Sequence, residues 1–250
     1  MSTHIAVAGK GGTGKTTLAA LIIRYLVERG KKPVLAVDAD ANANLNEALG
    51  LEVKETIASL LEQTRDPKAI PAGMTKDLFI EYRLNAALSE SRDVDLLVMG
   101  GPEGPGCYCY PNDLLRKYIE SLSKGYPYLV MDNEAGLEHL SRRVAQDVDI
   151  LFVVSDATAR GIRSAGRVHH LVRSLKTRVD RMYLVVTKTL DGALEALQEE
   201  IVNTGLELAG EIPLDPAVAE YDLRGRPLFE LPATAPAVLA VQGIMDRVKV

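Results

Sequence analysis

The stretch Gly9-Lys10-Gly11-Gly12-Thr13-Gly14-Lys15-Thr16-Thr17 decides the fold. It matches the phosphate-loop pattern Gly-x4-Gly-Lys-Thr, follows the apolar run 4–8 directly, and opens the amphipathic stretch 16–29. That is the strand-loop-helix setting the pattern requires. Its glycines let successive backbone N–H groups point into one concavity at a helix N-terminus, where the helix dipole favours an anion. Lys15 is expected on the β- and γ-phosphates of a nucleoside triphosphate, and Thr16 on Mg2+. Gly9, Lys10, Gly11, Gly12, Thr13, Gly14 and Thr17 complete the expected cradle.

Outward from this loop, β-branched apolar runs of strand length recur at 34–37, 96–99, 128–131, 150–154 and 183–186. Between them lie amphipathic stretches at 55–63, 78–89, 112–123, 137–146, 162–176 and 192–203. The alternation predicts an α/β fold, a doubly wound and mostly parallel sheet of about seven strands with helices on both faces. The Pro- and Gly-rich segments 100–106, 212–216 and 225–236 read as loops, so residues 1–250 read as a single domain. Ligands of such sheets bind beyond the carboxyl ends of the strands. There, Asp38 and Asp40 follow 34–37, and Asp132 follows 128–131. A carboxylate after a buried strand beside a phosphate loop suits a metal shell, and a helix cap or turn is the alternative.

The composition is that of a folded chain: 250 residues, 47% hydrophobic, 25% charged, 20 Gly and 12 Pro. Disorder, collagen and a disulfide scaffold are excluded. Uncharged stretches such as 16–23 fall short of the roughly 18 to 20 apolar residues of a membrane span, and no basic segment precedes an apolar one at the start. A cytoplasmic location is expected. The net charge of −5 argues against a main role in gripping nucleic acid, although a local patch could still do so.

Lys10, one residue after the first glycine, makes the loop resemble the deviant Walker A of the family that includes the nitrogenase iron protein, the septum-site and plasmid-partition ATPases and the arsenite-pump ATPase. In that family the early lysine reaches the nucleotide of the other subunit, so the resemblance implies ATP as ligand and a homodimer. Val37-Asp38-Ala39-Asp40 with Asn44-Leu45 resembles the family's switch I, which gives Asp40 the attacking water. Asp132-Asn133-Glu134-Ala135-Gly136 resembles its switch II. Many relatives carry Asn-Lys after the sixth strand to read adenine, where this chain has Thr187-Lys188. Ile212-Pro213-Leu214-Asp215 resembles the later adenine-side segment, so Lys188, Pro213 and Asp215 are the expected contacts there.

A narrower resemblance rests on the segments 100–109 and 131–143, which look like those of accessory ATPases that assist nickel insertion into carbon monoxide dehydrogenase and acetyl-CoA synthase. It implies a nickel enzyme, one of those two, as client. The distinguishing residues are Cys107 and Cys109, the chain's two cysteines. On extended chain their side chains share a face, with Cα atoms about 6.5 to 7 Å apart, at the upper limit for a disulfide. Pro111, Asn112 and Asp113 then open a helix whose dipole favours thiolates. His4, His139, His169 and His170 are distant in sequence. Two subunits on a two-fold axis would complete a four-cysteine shell for Zn2+ or Ni2+, and two small buried residues in a loop are the plainer alternative.

Two other functions compete. An iron-sulfur electron-transfer ATPase needs a cysteine shortly after switch II, and 134–149 contains none. A partition-type ATPase on DNA or membrane finds support in the basic run Arg160, Arg163, Arg167, His170, Arg173, Lys176, Arg178 and Arg181. A solvated helix face, with Ile162, Val168, Leu171, Val172 and Leu175 turned to the core, accounts for that run more simply. An acidic client is a further reading of it. The segment 237–250 lacks the basic cluster of a membrane anchor. Neither nucleic acid nor membrane is therefore the expected partner.

Overall fold

The computed structural model describes residues 2–64, 70–101, 117–133, 147–174 and 178–250. Seven strands form one parallel sheet in the order β3-β2-β4-β1-β5-β6-β7. They are β1 (Thr3–Gly9), β2 (Val34–Ala39), β3 (Val94–Val98), β4 (Tyr128–Asn133), β5 (Asp147–Asp156), β6 (Arg178–Thr189) and β7 (Glu207–Pro213). The expected doubly wound sheet is present. β1 lies at its centre, with Ile5 level with Val130 on one side and Ile150 on the other. All six residues of β2 and the last five of β1 are buried, as continuous apolar runs covered on both faces should be.

The helices are α1 (Lys15–Glu28), α2 (Leu45–Leu49), α3 (Ile57–Gln63), α4 (Lys76–Ala87), α5 (Ala159–Ser174), α6 (Ala193–Ala196), α7 (Gln198–Asn203), α8 (Pro216–Leu223) and α9 (Pro236–Val248). Residues 117–122 are also helical. One core joins α1, α2 and α9 to the sheet through Leu18, Ile22, Leu45 and Val241. The opposite core joins α3, α4 and α5 through Leu60, Leu84 and Ile162. Local chemistry sets several starts. Thr56 accepts from the Ser59 N–H and begins α3, Thr75 accepts from the Leu78 N–H and begins α4, and Pro236 stands in the first turn of α9.

The structure corrects four details. β7 covers 207–213, so Ile212 and Pro213 belong to a strand and not to the loop expected at 212–216. Its run is interrupted by Gly210 and Glu211, which hides it from an alternation count; Gly210 is needed because a Cβ there would lie 2.8 Å from Ile244 of α9. The helix expected at 192–203 breaks at Leu197 into α6 and α7. β6 begins at Arg178, where Arg178 and Val179 already pair with Asp147 and Val148 of β5. On α5, Ile162 and Val172 are buried as expected, but Leu171 is 45% exposed, and the inner face is filled instead by Gly161, Ala165, Gly166 and His169. His169 is structural, its Nδ1 within 2.8 Å of the Thr204 carbonyl. Leu175 and the helix expected at 137–146 lie outside the described residues.

Candidate functional site

The carboxyl end of β1 runs into the phosphate loop and then α1. Gly12 and Gly14 have φ of +76° and +82°, left-handed conformations that other residues adopt only at a steric cost. Gly9 is held by space: a Cβ there would lie 2.3 Å from the Val154 carbonyl oxygen of β5. Inside the loop the Lys10 carbonyl accepts from Thr13 Oγ1 at 2.8 Å and lies 3.5 Å from Lys15 Nζ. Lys15 is only 7% exposed. An ammonium buried with one long contact is a cation in want of an anion. Lys10 itself is exposed and forms no ion pair among the described residues.

Two neighbouring residues at the end of β6 hold the loop from outside. Thr187 Oγ1 donates to the Thr13 carbonyl at 2.7 Å, and Lys188 Nζ donates to the Gly12 carbonyl at 2.8 Å. Lys188 has a φ of +56°, a strain of the kind that collects at functional sites. These two bonds tie the loop's backbone to the end of β6. Thr187 is buried and committed to backbone.

The carboxylates arrive from the other side of β1. Thr16 Oγ1 donates to Asp132 Oδ2 at 2.6 Å, while Asp132 Oδ1 is buried with no hydrogen-bond partner among the described residues. Burial raises the Asp132 carboxyl from its usual 3.8 to about 7; the Thr16 bond and Lys15 oppose the shift, and Asp38 and Asp40 add to it. A hydroxyl beside a carboxylate with a free oxygen is a donor set that fits Mg2+. Asp38 is fully buried, and its two oxygens accept from the Asp40 and Leu45 N–H groups at 3.0 and 2.9 Å. Desolvation raises its carboxyl as well. Asp38 thus shapes the 40–44 loop, the turn role left open for it by the sequence. Asp40, half-exposed, accepts from the Asn42 N–H at 2.9 Å and keeps a second oxygen for a ligand.

On the expected adenine side, Pro213 is half-buried at the end of β7. Asp215 is only 5% exposed, and both of its oxygens are spent: one accepts from the Ala217 N–H of α8, the other from the Ala237 N–H of α9, each at 2.9 Å. A residue expected at the nucleotide therefore also has a helix-capping task, with one bond accepted by each oxygen. Sequence reading missed Asp222, on the last turn of α8. It lines a cleft of about 300 Å3 together with Thr16, Thr17, Asn44, Glu47 and Arg226. Nothing in the sequence marks it, since α8 itself was not expected. Cys107, Cys109, Glu134, Ala135 and Gly136 lie outside the described residues. Among the described residues, no group of three or more His, Cys, Asp or Glu side chains is placed to hold a metal ion. None of the described helices is long and apolar enough to cross a membrane.

The comparisons agree with this geometry. Residues 4–228 match the model of the CobQ/CobB/MinD/ParA nucleotide binding domain. An uncharacterized ATP-binding protein of Methanocaldococcus jannaschii is 41% identical over 247 residues, 98% of this chain and 97% of that protein. The carbon monoxide dehydrogenase accessory protein CooC of Rhodospirillum rubrum is 28% identical over 241 residues, 91% of this chain and 89% of its own length. Among solved structures, the MinC:MinD cell division protein complex of Aquifex aeolicus superposes with a TM-score of 0.74 at 26% identity, over 99% of this chain and 96% of that one. The strand order, the phosphate loop and the convergent carboxylates are thus those of a P-loop ATPase, and the chain belongs to the CobQ/CobB/MinD/ParA nucleotide-binding family.

Proposed function

We propose that the chain is a homodimeric accessory ATPase that assists nickel insertion into carbon monoxide dehydrogenase or acetyl-CoA synthase. In this reading Lys15 holds the β- and γ-phosphates, Thr16 and Asp132 hold Mg2+, and Asp40 orients the water that attacks the γ-phosphate. Bound Mg2+ would draw charge from the phosphates. Lys10, exposed and free of ion pairs among the described residues, reaches across the dimer axis to the other subunit's nucleotide. Cys107 and Cys109 of two subunits share one Zn2+ or Ni2+, and the ATP cycle alters that shared site as the client docks.

The observation that carries the reading is the pair Cys107 and Cys109, in a chain that matches an accessory protein of carbon monoxide dehydrogenase over 91% of its length. A closed thiolate shell requires four donors, so one ion should bind per two chains. Bound metal per chain, measured under reducing conditions beside mass in solution, is the test. One ion per two chains in a dimer, lost in Cys107→Ala and in Cys109→Ala, is the expected result. One ion per chain in a stable monomer, or full loading of the double variant, overturns the shared site.

One observation favours a second reading, a septum-site or partition type of ATPase acting on DNA or membrane. Arg160, Arg163, Arg167, His170 and Arg173 are all exposed on α5, a helix without a single acidic residue. Arg163 is partly committed through an ion pair with Glu200. Binding to DNA that weakens steeply with added salt would favour this reading over the first.

A further inference from the structure

On the face of the sheet covered by α3, α4 and α5, a groove of about 520 Å3 runs between α4 and the helical residues 117–122. It shares no residue with the phosphate loop or its carboxylates. Leu84 is buried at its floor, with Tyr118 and Leu122 half-buried beside it. Asp77, Glu81 and Asn85 form the α4 wall, and Tyr118 Oη donates to Asn85 Oδ1 at 3.1 Å. Residues 77, 81 and 85 follow at four-residue steps, so they stack along one side of α4 over about 12 Å.

Leu78 comes next around the helix, at its crest, and Tyr82 follows one turn on. They are 53% and 63% exposed, the one pair of large apolar side chains exposed four residues apart on a described helix. A single exposed leucine needs no explanation, but such a pair beside an apolar floor marks an interaction surface.

Charge is sorted on the same helix. Asp77 and Glu81 stand on the groove side, whereas Lys76 and Arg83 fall on the opposite side, where Arg83 pairs with Glu55. Across the groove stands a single cation, Lys117. Burial, with Glu81 and Glu90 as the nearby charges, raises the Tyr118 hydroxyl to about 12, so negative potential reaches the floor as well. An occupant of this groove needs apolar side chains for the floor and crest and cations for the α4 wall.

We propose that the groove docks an amphipathic helix of a partner protein, with its apolar side on Leu78, Leu84 and Leu122 and its lysines or arginines against Asp77 and Glu81. A helix lying in a groove is anchored by residues at i, i+3 or i+4, and i+7, a span of about 10 Å that the α4 wall accommodates. Because the groove stands apart from the nucleotide residues, this docking does not depend on which client the ATPase serves.

Fluorescence anisotropy of the full chain with two labelled helical peptides of about 14 residues tests it. Both carry leucines along one face; one is flanked by lysines and the other by glutamates. The lysine peptide should bind about tenfold more tightly or better. Leu78→Ala should weaken it by about threefold or more, and Glu81→Lys should do the same while tightening the glutamate peptide. Glu199→Lys, the same change of charge on the exposed surface of α7, should leave both affinities unchanged. Failure of the lysine peptide to bind, equal affinity for the two peptides, or indifference to both α4 substitutions overturns the proposal. Without peptide, Leu78→Ala should keep its thermal midpoint and its mass in solution. A midpoint lowered by more than about 4 °C means that the chain covers the groove itself, and a drop in mass means that a second copy does; either result also overturns it.

Discussion

Thr16 Oγ1 and Asp132 Oδ2 lie 2.6 Å apart, joining the first turn of α1 to the end of β4 across 116 residues of sequence. Two ligands for one cation are thus brought together by β1 and β4 being neighbours in the sheet, and the bond between them holds the pair in place. The same burial that positions Asp132 also raises its carboxyl to about 7. The folded chain therefore keeps a proton there that the unfolded chain, with a carboxyl near 3.8, has already lost. Without Mg2+, stability should fall as pH rises from about 4 to about 7 and level off above. Denaturant midpoints across that range check it, and Asp132→Asn should flatten the slope.

Lys15→Ala should abolish nucleotide binding, because it removes the buried cation beside the loop. Asp40→Ala should retain binding and lose hydrolysis. Equilibrium binding and steady-state phosphate release separate the two, and a wild-type hydrolysis rate in Asp40→Ala would remove the switch I role.

Lys10→Ala should spare nucleotide affinity relative to Lys15→Ala while weakening ATP-dependent dimerisation and hydrolysis. Mixing Lys10→Ala chains with Asp40→Ala chains should restore part of the activity, since one of the two sites in a mixed dimer keeps both groups. Once mixed dimers are shown to form, no gain over either variant alone would place the action of Lys10 within its own subunit.

Asp215→Ala should be mainly a stability variant. It leaves the Ala217 and Ala237 N–H groups without their acceptor at the start of two helices, a cost of about 2 to 4 kcal/mol. Thermal unfolding should show this loss, and tripolyphosphate affinity at low temperature should stay unchanged.

Gly9→Ala should displace the phosphate loop, because its Cβ would meet the Val154 carbonyl of a central strand, which cannot yield as a flexible side chain would. Triphosphate affinity should fall by tenfold or more, and a near-normal affinity would show that the loop can move away from β5 without consequence.

The sheet and its phosphate loop were legible because both are written in adjacent residues: continuous apolar runs for buried strands, and glycines at fixed offsets before Lys15. β7 was not, because its exposed Glu207 and Glu211 and its Gly210 follow the demands of a sheet edge and of α9 packing, not an alternating pattern. Asp40 and Asp132 could be placed from the strands they follow. The tasks of Thr187 and Asp215 could not, since the hydroxyl reaches Thr13 and one carboxylate oxygen reaches the Ala237 N–H, backbone groups that only the fold brings near. Thr187 reaches Thr13 across 174 residues, a distance no local pattern encodes.

The contact between α1 and α9 bears on the order in which the chain is made. Tyr25 donates to Asp246 at 2.6 Å across 221 residues, Arg29 pairs with the same carboxylate, Lys31 reaches the Val250 carbonyl, and Ile22 and Leu26 share a core with Val241 and Met245. The helix that begins at the phosphate loop emerges early from the ribosome, yet its covering emerges more than two hundred residues later. Until then the strip of α1 that α9 covers stays open, although α2 and the first strands have already emerged, so the interval of translation between α1 and α9 leaves that apolar strip exposed to chaperones and to aggregation.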